Sequence, residues 1–224
     1  VRWPAGPGRF EPVRLYVLLT GALCRHDPVE TARAALAGGA DCIQLREKAC
    51  PPAGPGGGHW LGDRDLLDLA RRLRELTAEA GALLIVNDRP DIAALAGADG
   101  VHLGQDDLPI APVRRLLPGR ALIGRSTHSL EQARRAEDEG ADYIGVGPMF
   151  ATATKEAGPA AGPGLLKEVV AAVSVPRGRL LGRHRFRRPR RRCRRAPLRP
   201  GALLNNPRPA TPENNHKALY RNDL

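Results

Sequence analysis

Two carboxylates, Asp88 and Asp107, carry the strongest chemical signal in the chain. Each follows a short apolar run, at 83–86 and 100–103, and each has an amide side chain close by, Asn87 or Gln105. Between the runs, residues 90–98 read as a short Ala-rich helix, with Pro90 suited to its first turn and Gly97 to its exit. Strand, helix and strand at this spacing form a crossover unit, and a crossover makes its two strands parallel. Asp88 and Asp107 then leave neighbouring strands at the same carboxyl-terminal edge, where parallel α/β folds build their sites. Either carboxylate could instead be a helix cap. Two on consecutive units point to a metal or phosphate site.

Other residues expected at strand ends extend this inventory. Gln44, Arg46 and Lys48 follow one apolar run, Ser126 follows another, and Thr152, Thr154 and Lys155 follow a third. Cations, two carboxylates and neutral donors together are what a magnesium–diphosphate site requires. Mg²⁺ takes one or two carboxylates and completes its shell with water and phosphate oxygens. Arg neutralises phosphate through a bidentate fork and Lys as a point charge. Each residue alone has a plainer reading. Arg46 and Lys48 could be solvated charges, Thr152 and Thr154 a turn, and Ser126 a helix cap. His102 lies inside a strand and reads as a packed supporting residue rather than a metal ligand, while His128 reads as a loop or helix-start residue.

The elements that must position these side chains alternate regularly. Strands are expected at 14–20, 42–45, 83–86, 100–103, 121–124 and 143–146. Helices are expected at 28–37 with Asp27 as cap, 65–80, 90–98, 108–117, 130–139 and 164–173. Helix 65–80 is the clearest, with Leu66, Leu69, Leu73 and Leu76 on one face. The Gly/Pro-rich loop 49–62 fits either a lid or an ordinary variable loop, and residues 174–176 would open a seventh strand. Six such repeats in 224 residues argue for a parallel α/β barrel of the (β/α)₈ TIM type. A doubly wound open sheet is the second choice.

Composition narrows the function classes. No stretch reaches the about 18 apolar residues of a membrane span, and the first 13 residues hold no continuous apolar segment, so a cytoplasmic protein is expected. The four cysteines show no CxxC spacing, which points away from zinc and disulfide frameworks. The net charge of +11 is local: residues 177–224 hold 15 Lys+Arg against 2 Asp+Glu, and residues 1–176 hold 20 against 22. That tail offers Phe186 and Tyr220 for stacking and no recognisable nucleic-acid module, so nonspecific binding is the most it implies.

The stretches DCIQLREK, LLIVNDRPDIA, GADGVHLGQDDLP, IGRSTHSLEQA and GADYIGVGPMFATATK resemble, in order, the motifs of the thiamine-phosphate synthases, a family of (β/α)₈-barrel enzymes. The resemblance runs from about residue 15 to 176. It implies small-molecule substrates: 4-amino-2-methyl-5-hydroxymethylpyrimidine diphosphate and 4-methyl-5-(2-hydroxyethyl)thiazole phosphate, joined with release of diphosphate. It implies Mg²⁺ on Asp88 and Asp107, and diphosphate on Arg46, Lys48, Asn87 and Lys155. Gln44 and Ser126 would meet the pyrimidine, and Thr152 and Thr154 the thiazole phosphate. Ser126 and Lys155 would be the catalytic pair. The IGRSTHSLE stretch also resembles the paralogous thiazole tautomerases, but a tautomerase has no metal–diphosphate group to hold.

The pattern breaks at residue 177. The resemblance implies an apolar strand ending in a Gly-Gly-Ile loop there, followed by one more β/α unit, yet the chain continues RGRLLGRHRFRRPRRRCRR. Residues 181–185 can be encoded as CTN-GGN-CGN-CAY-CGN, which read one base later contains GNC-GNC-AYC and can spell Gly-Gly-Ile. A shifted reading frame near codon 176 is the expected cause. Three segments follow: 1–13 flexible, 14–176 an incomplete barrel, and 177–224 a disordered tail that leaves the edges of the first and sixth strands open, so an unstable or weakly active chain is expected.

Overall fold

In a computed structural model, residues 10, 12–47, 61–117, 119, 121–147 and 162–175 are described, together with the backbone of 219–221. Strands and helices alternate along the chain: β1 (Leu15–Leu19), α1 (Pro28–Ala37), β2 (Cys42–Leu45), α2 (Asp63–Ala80), β3 (Leu83–Asn87), α3 (Pro90–Ala96), β4 (Gly100–Leu103), α4 (Ile110–Leu116), β5 (Leu122–Thr127), α5 (Leu130–Asp138), β6 (Tyr143–Val146), α6 (Gly162–Ala172) and β7 (Leu219–Arg221). β1 to β6 pair consecutively and in parallel.

The sheet is curled. Six neighbouring strands laid flat would put β1 and β6 about 24 Å apart. Yet the hydroxyls of Tyr16 on β1 and Tyr143 on β6 lie 3.2 Å apart. That contact favours the barrel-type sheet over the flat doubly wound one. Alternation along each strand makes two cores. Outward residues such as Ile43, Leu84, Val86, Val101, Ile123 and Ile144 pack beneath the helices. Inward residues Tyr16, Cys42, Leu83, Ile85, Leu122 and Tyr143 close around Phe10. Phe10 stacks on Tyr143 at 3.9 Å between ring centroids.

A local device recurs three times. Gly39-Ala40-Asp41, Gly97-Ala98-Asp99 and Gly140-Ala141-Asp142 each link a helix to the next strand, and each glycine has positive φ (93°, 62° and 84°). The Asp carboxylate then accepts from the start of the preceding strand: Leu15 N at 2.8 Å, Leu84 N at 2.9 Å and Ile123 N at 2.7 Å. The device ties β1 to β2, β3 to β4 and β5 to β6 at the amino-terminal edge, leaving the opposite edge to the site.

The expected flexible segment 1–13 does not hold at its end, because Phe10 and Val13 are buried in the inner core. Three expectations about the strands also need correction. β5 runs through Ser126 to Thr127 rather than ending at residue 124, because Arg125 and Thr127 keep the outward-facing register and are buried with it. Residues 173–175 form no strand. Nor is the outer edge of β1 open, because β7 pairs with it antiparallel, Leu15 with Arg221 and Val17 with Leu219. Unpaired edge groups are satisfied by any strand that can reach them. Residues 49–60 of the 49–62 loop, read as either a lid or an ordinary variable loop, and residues 177–218 of the tail expected to be disordered lie outside the described residues.

Candidate active site

The carboxyl-terminal edge carries the predicted residues in a graded arrangement. Gln44 and His102 are buried just below it, and Arg46, Asn87, Asp88, Gln105, Asp107 and Ser126 are half-buried on it. Lys48, Thr152, Thr154 and Lys155 lie outside the described residues.

Beneath the rim runs a continuous hydrogen-bonded chain. Gln44 Nε2 donates to Tyr16 Oη at 2.7 Å, and Tyr16 Oη pairs with Tyr143 Oη at 3.2 Å. Tyr143 Oη meets His102 Nδ1 at 3.1 Å, and His102 Nε2 meets Ser126 Oγ at 2.9 Å. It crosses the sheet interior from β2 through β1, β6 and β4 to β5, and both ends are site residues expected from the sequence. Burial pushes both phenol pKa values well above their ordinary value, so the hydroxyls stay protonated. Space for the chain comes from glycine: a Cβ at Gly124 would clash with the Tyr143 ring and stand 2.5 Å from His102 Nδ1. The two tyrosines were missed from sequence because they face each other from strands five positions apart. Phe10, Tyr16 and Tyr143 among so few aromatics are the available signal.

The rim is held by loop-to-loop contacts. Thr20 Oγ1 donates to Arg46 O at 2.9 Å, and Glu47 Oε1 accepts from Gly21 N at 2.5 Å, tying the ends of β1 and β2 together. Burial raises the Glu47 carboxyl pKa despite that bond and the nearby Arg46. Gln105 Nε2 donates to Ser126 O at 2.5 Å, which joins the β4 loop to β5. Ser126 is a strand residue, and the cap of α5 is Ser129, whose Oγ accepts from Gln132 N at 3.1 Å. His128 is an exposed loop residue whose Nδ1 pairs with Gly147 O.

Asp88 and Asp107 leave adjacent parallel strands, as expected. Neither occupies a cap position: those of α3 and α4 are Arg89 and Pro109. Asp107 closes the turn after β4, its Oδ2 accepting from Gly104 N at 2.5 Å. Asp88 is the one described non-glycine residue with positive φ, at 61°. Its N–H donates to His102 O at 2.8 Å, which fastens the end of β3 to β4.

The donor chemistry at these turns suits a hard divalent cation. Two carboxylates on neighbouring turns match the sparse protein ligation of Mg²⁺, which leaves positions for phosphate and water. Among the described residues no group of three or more His, Cys, Asp or Glu gathers as a self-sufficient metal cage. His102 is engaged through both ring nitrogens by Tyr143 and Ser126, in keeping with a supporting role.

The chain is similar to known proteins of one family. The profile of the thiamine monophosphate synthase family matches residues 15–179. A thiamine-phosphate synthase of Methanoculleus marisnigri is 50% identical over 164 residues, covering 72% of each chain. One from Moorella thermoacetica is 47% identical over 164 residues, covering 72% of this chain and 73% of that one. Among solved structures, the thiamine phosphate pyrophosphorylase of Pyrococcus furiosus superposes with a TM-score of 0.63 at 35% identity, over 77% of this chain and 75% of that one. With its parallel curled sheet, its carboxylates on successive strand ends and these similarities, the chain belongs to the thiamine monophosphate synthase family.

Proposed function

We propose that the chain is a transferase that condenses 4-amino-2-methyl-5-hydroxymethylpyrimidine diphosphate with 4-methyl-5-(2-hydroxyethyl)thiazole phosphate, forming thiamine phosphate and diphosphate. The observation that carries this reading is the relay from Gln44 to Ser126, set directly beneath a rim holding Arg46, Asn87, Asp88 and Asp107. A polar floor under a charged rim suits a flat heteroaromatic ring bearing a diphosphate.

In the proposed reaction the bond between the pyrimidine methylene and the diphosphate oxygen breaks, and diphosphate leaves with the electron pair. The ring amino group stabilises the methylene cation. The thiazole nitrogen then donates its lone pair to form the new carbon–nitrogen bond. No protein nucleophile or strong base is required, only stabilised charge on the leaving group and oriented partners. Gln44 and Ser126 hold the pyrimidine, with Ser126 fixed by His102 on one side and the backbone grip of Gln105 on the other. Arg46, Lys48, Asn87 and Lys155 neutralise the diphosphate. Thr152 and Thr154 take the thiazole phosphate. Asp88 and Asp107 would hold Mg²⁺, which when bound offsets charge on the departing diphosphate. The tyrosine hydroxyls stay protonated and link Gln44 to His102. The six parallel strands belong, in this reading, to a (β/α)₈ barrel.

The test is a paired assay. With both substrates and Mg²⁺, thiamine phosphate and diphosphate should form in equal amounts, and a chelator should stop both. Isomerised thiazole without diphosphate would instead assign the tautomerase reaction.

A further inference from the structure

Asp88 stands in a conformation that side-chain-bearing residues rarely adopt. Its φ is 61°, and Arg89 N donates to Asn87 O at 2.8 Å, closing a three-residue γ-turn with Asp88 at its centre. Such strain persists only where the surroundings over-determine it, and it gathers at functional sites. Asp88 N on His102 O restrains one side of the turn. The other side is restrained by a guanidinium. Arg89 Nε and Nη2 fork onto the Asp91 carboxylate at 2.9 and 2.6 Å, while Nη1 reaches Asp63 Oδ1 at 2.8 Å. Asp63 is the first residue of α2, and Asp91 lies in the first turn of α3. One side chain thus pins the turn to the starts of two helices.

Stability alone does not account for this clamp. The three side chains are 37%, 49% and 79% exposed for Arg89, Asp91 and Asp63, and exposed pairs contribute little to folding. A planar fork does, however, fix direction, which a lysine cannot do.

We propose that Arg89 is a positioning residue: clamped by Asp63 and Asp91, it holds the 87–89 turn so that Asn87 and Asp88 face the diphosphate and its cation. This rests on the function proposed above. Arg89 acts through the turn and does not itself touch the ligand.

The test titrates inorganic diphosphate, with and without Mg²⁺, into the full chain by calorimetry, and follows amide exchange by NMR. Arg89→Ala should weaken Mg²⁺-dependent diphosphate binding by about tenfold or more, as loss of outer partners of a metal site does. The Asp63→Asn/Asp91→Asn double variant should weaken it as much, although both its substitutions lie outside the rim. Arg89→Lys should recover only part of the loss. Exchange at the Asp88 and Arg89 amides should quicken in each, with Ile85 and Val86 unchanged. Binding within twofold of the original in the double variant, with loss in Arg89→Ala, would make Arg89 a direct ligand and overturn the proposal. Unchanged amide exchange in the double variant would overturn it too, and that variant decides the matter if Arg89→Ala does not fold. An original chain without diphosphate affinity would refute the underlying function, whereas the exchange measurement would still judge the clamp.

Discussion

At Gly124 a Cβ would run into Tyr143 and His102 at once. Gly124→Ala should therefore destabilise the chain by about 1–3 kcal/mol or more through overpacking, read by urea unfolding. Tyr143→Phe keeps the ring on Phe10 but removes the hydroxyl shared by Tyr16 and His102. It should lower stability by about 1–3 kcal/mol, the penalty for stranding buried polar partners. The same phenols set an alkaline limit. Below the ordinary phenol value of about 10, folded and unfolded chains both keep these protons. Above it the unfolded chain releases them while the folded chain, with raised values, does not, so stability falls as pH rises. A melting temperature that does not fall between pH 9.5 and 11, relative to Tyr143→Phe, would contradict this. At this scale the sequence was legible where chemistry is local. Asp88, Asp107 and Ser126 stand next to strands that periodicity finds, whereas Tyr16 and Tyr143 meet only after five strand crossings.

Among the elements, the Gly-Ala-Asp links do the joining that strand pairing alone leaves loose. Asp99 is 6% exposed, accepts from Leu84 N and lies 3.6 Å from Arg74. Asp99→Ala should cost about 1–3 kcal/mol and loosen β3 against β4, the two strands that carry Asp88 and Asp107. Amide exchange at Leu84 measures it directly. The sequence reading located every described α-helix to within a few residues, because amphipathic periods and Gly/Pro boundaries are written in the sequence itself. The length of β5 escaped because Arg125 and Thr127 look polar. Their burial depends on partners elsewhere, Leu108 O for Arg125 and Gly145 O for Thr127. The threefold Gly-Ala-Asp recurrence was present in the sequence and needed only alignment of the repeats to be seen.

For the molecule as a whole, the barrel-like curl is fixed by six strands, and the family match ends at residue 179, just inside the basic tail that begins at residue 177. A strand of three residues, β7, covers β1 where a (β/α)₈ barrel would place its last parallel strand. Restoring the alternative reading frame after codon 176 should supply the missing apolar elements and raise the melting temperature by on the order of 10 °C. An unchanged melting temperature, or coding DNA without an alternative barrel ending, would refute the shifted-frame account. Curvature was legible only as a repeat count, since the closing contact joins residues 127 positions apart.

The proposed reaction stands on Asp88 serving the leaving diphosphate. Its most direct measurement is Mg²⁺-dependent diphosphate release by the frame-restored chain beside its Asp88→Asn variant, because Asn tolerates the same positive φ and removes only the charge. A matching melting temperature with release lowered by about a hundredfold or more is expected. Undiminished release from Asp88→Asn would contradict it.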